Sequence, residues 1–256
     1  MKMHIDLKIL FYKLSLPVII FCFLLMSTGK SPAQEKVTFQ TSDGLTVTAD
    51  WYKSTYQAPF ILLFHQAGYS RGEYKETAPR LVKLGYNCLA VDLRSGDKIN
   101  YVKNETALVA EKEGIATGYY DALPDIRAAI DFVNTITAKK VILFGSSYSA
   151  SLVLMEGASN ERVKAVIAFS PGEYFTDVKK VTESIQGINI PLFVVTTQRE
   201  YPYAKEMLAD VPDNILTIYT SNKGEGAHGS KSLWKSTPGN ESLWLSLMMF
   251  IDRINR

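Results

Sequence analysis

The sequence lacks several features that mark other classes of protein. It contains no internal repeat, no low-complexity tract and no linker rich in proline or serine. Histidine, cysteine and carboxylate residues do not cluster at metal-ligand spacing, and no glycine-rich phosphate-binding loop follows a predicted strand. The sequence therefore predicts one domain that needs neither a metal ion nor a nucleotide cofactor.

Basic residues, an apolar run and small residues follow one another over residues 1–33, which is the pattern of a secretory signal peptide. The apolar run, residues 14–26, is shorter than the roughly 20 residues that a membrane-spanning helix needs. A permanent membrane anchor is therefore the weaker alternative. We expect cleavage after Ala33, a secreted or periplasmic protein without a stable membrane anchor, and a single mature domain over residues 34–256.

Cysteine and net charge are both scarce in the predicted mature chain. Of the two cysteines, Cys22 lies in the predicted signal peptide and Cys88 in an apolar strand. The mature chain therefore has no internal disulfide, and we interpret Cys88 as an inert core residue. Cleavage would also remove four lysines and one aspartate, which changes the formal charge from +2 to −1. A nearly neutral chain gives no reason to expect nucleic acid or an anionic membrane surface as a partner.

Strand-like and helix-like segments alternate along the mature chain. Eight short segments predict strands: residues 36–41, 45–53, 60–64, 87–91, 141–144, 165–169, 191–196 and 215–220. Helical spacing is predicted for the segment ending at 84–85, the segment after 149, and residues 119–133, 178–185, 204–209 and 241–254. This alternation is typical of an α/β fold with a mostly parallel eight-stranded sheet that helices cover on both faces. The first two strands should form an antiparallel hairpin at one edge.

Ligands of such sheets bind at the carboxyl ends of the strands, so chemically useful residues should follow each strand directly. Residues of this kind follow five strands: His65 to Gly68, Asp92 to Gly96, Ser147, Gln198 to Glu200, and His228. The connection 172–187 is too short for a large cap domain. The longer excursion 95–118 is rich in charge and could rim a polar pocket, although we interpret it as a solvated loop.

The segment Gly145-Ser146-Ser147-Tyr148-Ser149 joins a buried strand to a helical segment. This pattern approximates the Gly-x-Ser-x-Gly nucleophile elbow, in which small residues let strand and helix pass closely and a strained backbone holds the central serine exposed. Ser147 is the nucleophile by this count, and Ser149 replaces the second glycine. The alternative is an ordinary strand-to-helix turn, because glycine and serine are both common at tight turns and helix caps.

A serine nucleophile needs a base within hydrogen-bonding distance and a carboxylate to orient that base. His65 precedes the serine at the end of a buried strand, where a structural histidine is expected. His228 lies after the last strand in a loop of small residues, and we predict that it is the base. Glu200, directly after the seventh strand, is the predicted acid, and Glu173, after the sixth, is the alternative.

These motifs resemble the α/β-hydrolase fold and, within it, the small dienelactone-hydrolase-like esterases. The resemblance covers nearly all of residues 36–255. It rests on the elbow at 145–149 and on the turns at 65–68, 92–96 and 226–229. The fold that it implies has no large cap domain.

The resemblance also implies roles for five residues. Ser147, Glu200 and His228 would act as nucleophile, acid and base. The backbone N–H groups of Ala67 and Tyr148 would form the oxyanion hole, because this fold takes one donor from the loop after the third strand and one from the residue after the nucleophile.

The sequence departs from the family pattern at three positions. Gln66 and Ser149 stand where glycine is usual, and Glu200 stands where aspartate is commoner. Dienelactone hydrolases proper also use a cysteine nucleophile, which is absent here. The resemblance implies a secreted serine hydrolase that cleaves a small or medium polar carboxylic ester through an acyl-enzyme on Ser147, without a cofactor. Two alternatives remain open, an amidase or peptidase and a catalytically weak binding protein with the same fold.

Overall fold

The computed structural model describes residues 34–221 and 226–256. The predicted signal peptide, residues 1–33, lies outside the described residues, as does the segment 222–225 before His228. No helix in the described ranges is long and apolar enough to cross a membrane.

Eight of the ten strands in the described ranges form one sheet. The strands are β1 (Gln34–Gln40), β2 (Thr46–Tyr52), β3 (Phe60–Phe64), β4 (Asn87–Val91), β5 (Lys98–Ile99), β6 (Val102–Lys103), β7 (Val141–Ser146), β8 (Val163–Phe169), β9 (Leu192–Thr196) and β10 (Leu216–Thr220). The sheet order is β1-β2-β4-β3-β7-β8-β9-β10, and β5 and β6 pair separately. β1 and β2 are antiparallel at one edge and the pairs from β4 to β10 are parallel, which confirms the predicted fold class.

The central strands are buried on both faces, which explains their continuous apolar runs. All residues of β3, β4 and β7 are buried. Leu62 and Leu143 point into the core on one face of the sheet, whereas Ile61, Leu63 and Phe144 point into the core on the other. Helices on both faces therefore fix the sheet from which the loops of the site project.

Seven helices pack around the sheet in the described ranges. They are α1 (Thr77–Lys83), α2 (Glu105–Glu113), α3 (Leu123–Asn134), α4 (Tyr148–Ser159), α5 (Val181–Ser184), α6 (Tyr201–Met207) and α7 (Asn240–Asn255). The predicted apolar stripe of α3 is buried against the sheet. The predicted helix near 178–185 is reduced to the single turn α5, which buries Val181, while Val178 lies outside it and is 65% exposed.

The excursion 95–118 is more ordered than the sequence predicted. It contains the β5–β6 hairpin and the helix α2, and its residues line a cavity of about 720 Å³. The side chain of Asn104 caps α2 by accepting a hydrogen bond from the Ala107 N–H at 2.8 Å, and Gly114 ends the helix in the left-handed conformation. The interpretation of the excursion as a solvated loop was therefore wrong.

Candidate active site

The structure brings Ser147, Glu200 and His228 into one hydrogen-bonded chain at the carboxyl end of the sheet. Ser147 follows β7, Glu200 lies after β9, and His228 lies after β10. The Ser147 Oγ is 2.8 Å from Nε2 of His228, and Nδ1 of the same ring is 2.6 Å from Oε1 of Glu200. Because a carboxylate can only accept, Nδ1 carries the ring proton and Nε2 is free to accept the proton of the serine hydroxyl.

The backbone at Ser147 is strained, with φ 59° and ψ −125°. A non-glycine residue in this region costs on the order of 1–3 kcal/mol and persists only where the surroundings impose it. Here the Ser147 N–H donates to the Phe169 carbonyl of the neighbouring strand at 2.8 Å. Gly145 permits the turn, since a Cβ there would lie 2.5 Å from the Ser149 carbonyl oxygen and 2.6 Å from the Ala150 backbone. The strand and the helix therefore pass as closely as an elbow requires.

Ser149, the departure from the commoner glycine, stabilises the elbow through its hydroxyl. Its Oγ accepts a hydrogen bond from the Ser146 N–H at 2.9 Å and donates to the Phe64 carbonyl at 2.8 Å. The hydroxyl is fully buried. It thus ties the elbow to the end of β3, where the predicted oxyanion loop begins.

Glu200 is held as a carboxylate by three donors. Its Oε1 accepts from His228, and its Oε2 accepts from the Thr197 N–H at 2.9 Å and from the Ser170 hydroxyl at 2.7 Å. Burial raises the pKa of the Glu200 carboxyl, but these hydrogen bonds outweigh burial and hold the pKa below its ordinary value. The group is therefore ionised at neutral pH, as the orientation of a histidine base requires.

Glu173, the alternative acid, lies elsewhere. Its carboxylate accepts hydrogen bonds from the backbone N–H groups of Val181 and Thr182, at 2.7 and 2.8 Å, and so caps the N-terminus of α5. Of the two carboxylates that the sequence left open, only Glu200 contacts His228.

Ser170 is a member of the site that the sequence analysis missed. Its hydroxyl donates to Glu200 and accepts a hydrogen bond from the Gly229 N–H at 2.9 Å. It therefore joins the acid to the loop after β10 that carries His228, which we call the histidine loop. Its φ is 53°, which is a strained value for serine. Ser170 directly follows β8, and the rule that useful residues follow strands could have singled it out.

The two predicted oxyanion donors are placed as follows. Tyr148 is the first residue of α4, so its N–H is one of those that a helix leaves without an internal partner. Ala67 lies in the turn after β3. Within the described ranges, neither N–H donates a hydrogen bond. Their role as the oxyanion hole therefore stays a prediction.

Three tyrosines contact the elbow or the loop after β8. The buried ring of Tyr148 stacks on Tyr119 with centroids 4.6 Å apart, and its hydroxyl donates to the Ser95 carbonyl at 3.0 Å. The Tyr174 hydroxyl donates to the Ser170 carbonyl at 3.1 Å, and burial raises its pKa above the ordinary value. Tyr119 and Tyr174 are 44% and 40% exposed.

No group of three or more histidine, cysteine or carboxylate residues in the described part of the chain is arranged to hold a metal ion. The chemistry that the arrangement supports is proton transfer from a serine hydroxyl to an oriented histidine.

Comparison with known proteins assigns the family. The model of the dienelactone hydrolase family matches residues 43–215, more than half of the chain. The chain belongs to the dienelactone hydrolase family. The family predicted from the elbow and the flanking turns is therefore confirmed, and the protein is a dienelactone-hydrolase-like α/β hydrolase.

Solved structures share the fold of this family member. An esterase of Pyrococcus furiosus has 18% identity over 87% of this chain and 93% of its own, with a TM-score of 0.62. The dienelactone hydrolase of Anabaena variabilis has 17% identity over 85% of this chain and 95% of its own, with a TM-score of 0.61. The acylaminoacyl peptidase of Pyrococcus horikoshii has 16% identity over 90% and 43%, with a TM-score of 0.63. At these identities the likeness concerns the fold alone, and a search of curated proteins found no match.

Proposed function

We propose that this family member is a serine hydrolase that cleaves carboxylic esters through an acyl-enzyme on Ser147. The observation that carries the proposal is the unbroken chain of hydrogen bonds from the Ser147 Oγ through His228 to Glu200, built on a strained elbow. A serine in a structural turn needs neither the strain nor an oriented histidine.

The reaction begins with attack of the Ser147 Oγ on the acyl carbon of the ester. His228 Nε2 takes the hydroxyl proton, and Glu200 stabilises the imidazolium that forms. The tetrahedral intermediate carries its negative charge on the former carbonyl oxygen, which the N–H groups of Ala67 and Tyr148 receive. Collapse breaks the bond to the alcohol oxygen, and His228 gives that oxygen its proton.

Water then resolves the acyl-enzyme. His228 takes a proton from the water as the oxygen attacks the acyl carbon, and returns it to the Ser147 Oγ as the acid leaves. We expect a small-molecule substrate, and the exposed rings of Tyr119 and Tyr174 are candidates for contact with it. The protein's own residues suffice for each of these steps.

The substrate class is tested by labelling and by a substrate panel. A fluorophosphonate probe should label the wild-type protein, and labelling should be lost in Ser147→Ala and fall sharply in His228→Ala. Hydrolysis of p-nitrophenyl acetate together with inertness toward aminoacyl anilides supports an esterase. Faster cleavage of the anilides moves the assignment to an amidase, and an unlabelled, folded wild type moves it to a binding protein.

We also propose that residues 1–33 are a signal peptide and that residues 34–256 form the mature domain. The support is the sequence pattern of basic residues, apolar run and small residues. N-terminal sequencing of the exported protein should give Gln34 as its first residue. Recovery of the protein with Met1 intact in the membrane fraction contradicts this proposal.

A further inference from the structure

Glu73 is a buried carboxylate that the proposed mechanism does not use. It lies in the 3₁₀ turn Arg71–Tyr74 between β3 and α1, and none of its surface is exposed. Burial raises the pKa of its carboxyl, while hydrogen bonds from Ser230, Gln66 and Ser146 lower it. A buried carboxylate is unfavourable unless its oxygens are fully hydrogen-bonded, so these donors call for an explanation.

The donors to Glu73 come from three different loops of the candidate active site. The hydroxyls of Ser230 and Ser146 donate to Oε1 at 2.5 and 2.8 Å. The backbone N–H of Gln66 donates to Oε2 at 2.8 Å. One carboxylate therefore joins the turn after β3, the elbow after β7 and the histidine loop after β10.

Each donor lies within two residues of a group that the mechanism uses. Gln66 precedes Ala67, the predicted oxyanion donor, and Ser146 precedes the nucleophile. Ser230 lies two residues after His228. A displacement of the Glu73 carboxylate would therefore displace the predicted oxyanion donor, the nucleophile and the base together.

Two further contacts close this cluster. The Ser230 N–H donates to the Ser146 Oγ at 2.8 Å, which completes a ring of hydrogen bonds through Glu73. A Cβ on Gly229 would lie 2.4 Å from Oε1 of Gln66 and 2.7 Å from the Ser146 Oγ. The three loops are packed so closely at this point that the histidine loop has room only for glycine.

The bonding of Glu73 differs from that of other buried acidic residues. Asp50 and Asp92 pair with Arg71, and Asp125 pairs with Arg94. Among the ion pairs of the described residues, none includes Glu73. Its partners are hydroxyl and amide donors from the site alone, which is the arrangement expected of a group that orients loops rather than one that balances a buried cation.

We propose that Glu73 is a positioning residue that holds the oxyanion loop, the nucleophile elbow and the histidine loop in register. This inference rests on the proposed serine hydrolase function. It assigns to one side chain the relative placement of three groups that must converge on the same acyl carbon. It also explains why a carboxylate is buried behind the site without a cation beside it.

The decisive variant is Glu73→Gln, which keeps the size of the side chain and removes one of its acceptor oxygens. We expect kcat for p-nitrophenyl acetate to fall about 10- to 100-fold, because small displacements of reacting groups have effects of this size. KM should stay within about twofold, since no contact with the probe is removed. The rate of fluorophosphonate labelling should fall in parallel with kcat.

Glu156→Gln is the matched control, since it makes the same substitution at a glutamate that is 3% exposed. Glu156 lies near the other end of α4 from Ser147 and bonds Arg127 and Asn160. Its kcat should remain within about twofold of wild type. Thermal unfolding of both variants separates a loss of folded protein from a loss of turnover.

Ser230→Ala is a second variant, and it decides the matter if Glu73→Gln does not fold. It removes one donor to Glu73 and should lower kcat about threefold or more at unchanged KM. The double variant should then lose little beyond Glu73→Gln alone, because the two residues act through one contact.

The proposal is overturned if folded Glu73→Gln keeps wild-type kcat, if Glu156→Gln loses as much, or if Ser230→Ala turns over like wild type. A folded wild type that neither hydrolyses p-nitrophenyl acetate nor reacts with the fluorophosphonate overturns the serine hydrolase function, and the role of Glu73 with it. The activity of the wild type thus distinguishes failure of the proposed role of Glu73 from failure of the proposed serine hydrolase function.

Discussion

Two histidines lie at the same end of the sheet and differ in almost every other respect. His65 follows β3 and has no exposed surface, whereas the side chain of His228, after β10, is 42% exposed. Nδ1 of His65 donates to the Gln66 carbonyl at 2.8 Å, and its Nε2 accepts from the Leu93 N–H at 2.9 Å. His228 is instead bonded through both ring nitrogens to side chains of the site.

The difference shows that partners, rather than residue type, set what a histidine can do. Burial lowers the pKa of His65 to about 4, so its ring is neutral and bound to backbone groups that cannot exchange a proton with a substrate. His228 has a carboxylate on one side and a hydroxyl on the other, which is the setting of a general base. The comparison therefore supports a structural role for His65 and the proposed role of base for His228.

The largest expected effect comes from His228→Ala. Loss of the base should lower kcat for p-nitrophenyl acetate by about 10⁴-fold or more. The half-exposed position of the ring should leave thermal stability within about 1 kcal/mol. His65→Gln should show the reverse, with a clear loss of stability and kcat within about tenfold. Equal losses of turnover in the two variants would remove the distinction.

Glu200→Gln should have the next largest effect. A neutral amide cannot hold the His228 ring with Nδ1 protonated or stabilise the imidazolium, so kcat should fall about 10³- to 10⁴-fold. Glu173→Gln is the matched control, because that carboxylate caps α5 and is not bonded to His228. Its kcat should stay within about twofold. A larger loss in Glu173→Gln than in Glu200→Gln would move the acid to the loop after β8.

The pH dependence of the free energy of unfolding should show that the buried His65 ring is neutral. Its pKa is about 4 in the folded chain and 6.5 at the ordinary value. Above pH 6.5 the ring is neutral in both states. Between pH 6.5 and 4 only the unfolded chain binds the proton, so His65 lowers the free energy of unfolding as pH falls, by about 3 kcal/mol at pH 4.

Two aspartates oppose the loss of stability that His65 causes on acidification. The contribution of His65 is therefore measured as the difference between wild type and a His65 variant. Burial raises the pKa of Asp92 and of Asp125 to about 6, so both bind protons in the folded state over the same range and add stability as pH falls. His65→Gln keeps both aspartates. Urea unfolding at several pH values should show a steeper loss on acidification in wild type than in His65→Gln, and identical slopes would contradict a neutral buried His65.

The smallest expected effect is that of Asn104→Ala. The Asn104 amide caps α2, donates to the Leu93 carbonyl at 2.8 Å and lies 3.2 Å from Nε2 of His65. Its loss should lower the free energy of unfolding by about 1–2 kcal/mol, since a cap and a buried hydrogen bond are removed. Turnover per folded molecule should be unchanged. A large fall in kcat would show that the surroundings of His65 belong to the chemistry after all.

Most of the fold could be predicted from the sequence because its strands are buried on both faces. Apolar runs such as Phe60 to Phe64 leave a clear signal, and all eight predicted strands lie in the sheet. The helix α2 was missed although Asn104 and Gly114 provide its caps. It buries only Thr106 and Ala110, so its sequence shows no apolar stripe. The predicted helix near 178–185 was longer than the observed turn Val181–Ser184, and the apolar residue Val178 lies outside that turn and is exposed.

The residues of the candidate site also differ in how clearly the sequence predicts them. The sequence singled out Ser147, Glu200 and His228 because each follows a strand, and the structure brings the three together. Of their supporting residues, Ser170 also follows a strand directly, whereas Glu73 carries no such signal. Glu73 contacts residues 73 and 157 positions away along the chain, and such distant pairings have no local pattern in the sequence.

The central claim is that Ser147 forms an acyl-enzyme, and mass spectrometry tests it most directly. Wild-type protein quenched with acid during turnover of p-nitrophenyl acetate should carry one added acetyl group. Peptide mapping should place that group on Ser147, and it should be absent from Ser147→Ala. An acetyl group on Ser146 or Ser149 instead, or turnover without any covalent adduct on Ser147 even under single-turnover conditions, would contradict the account.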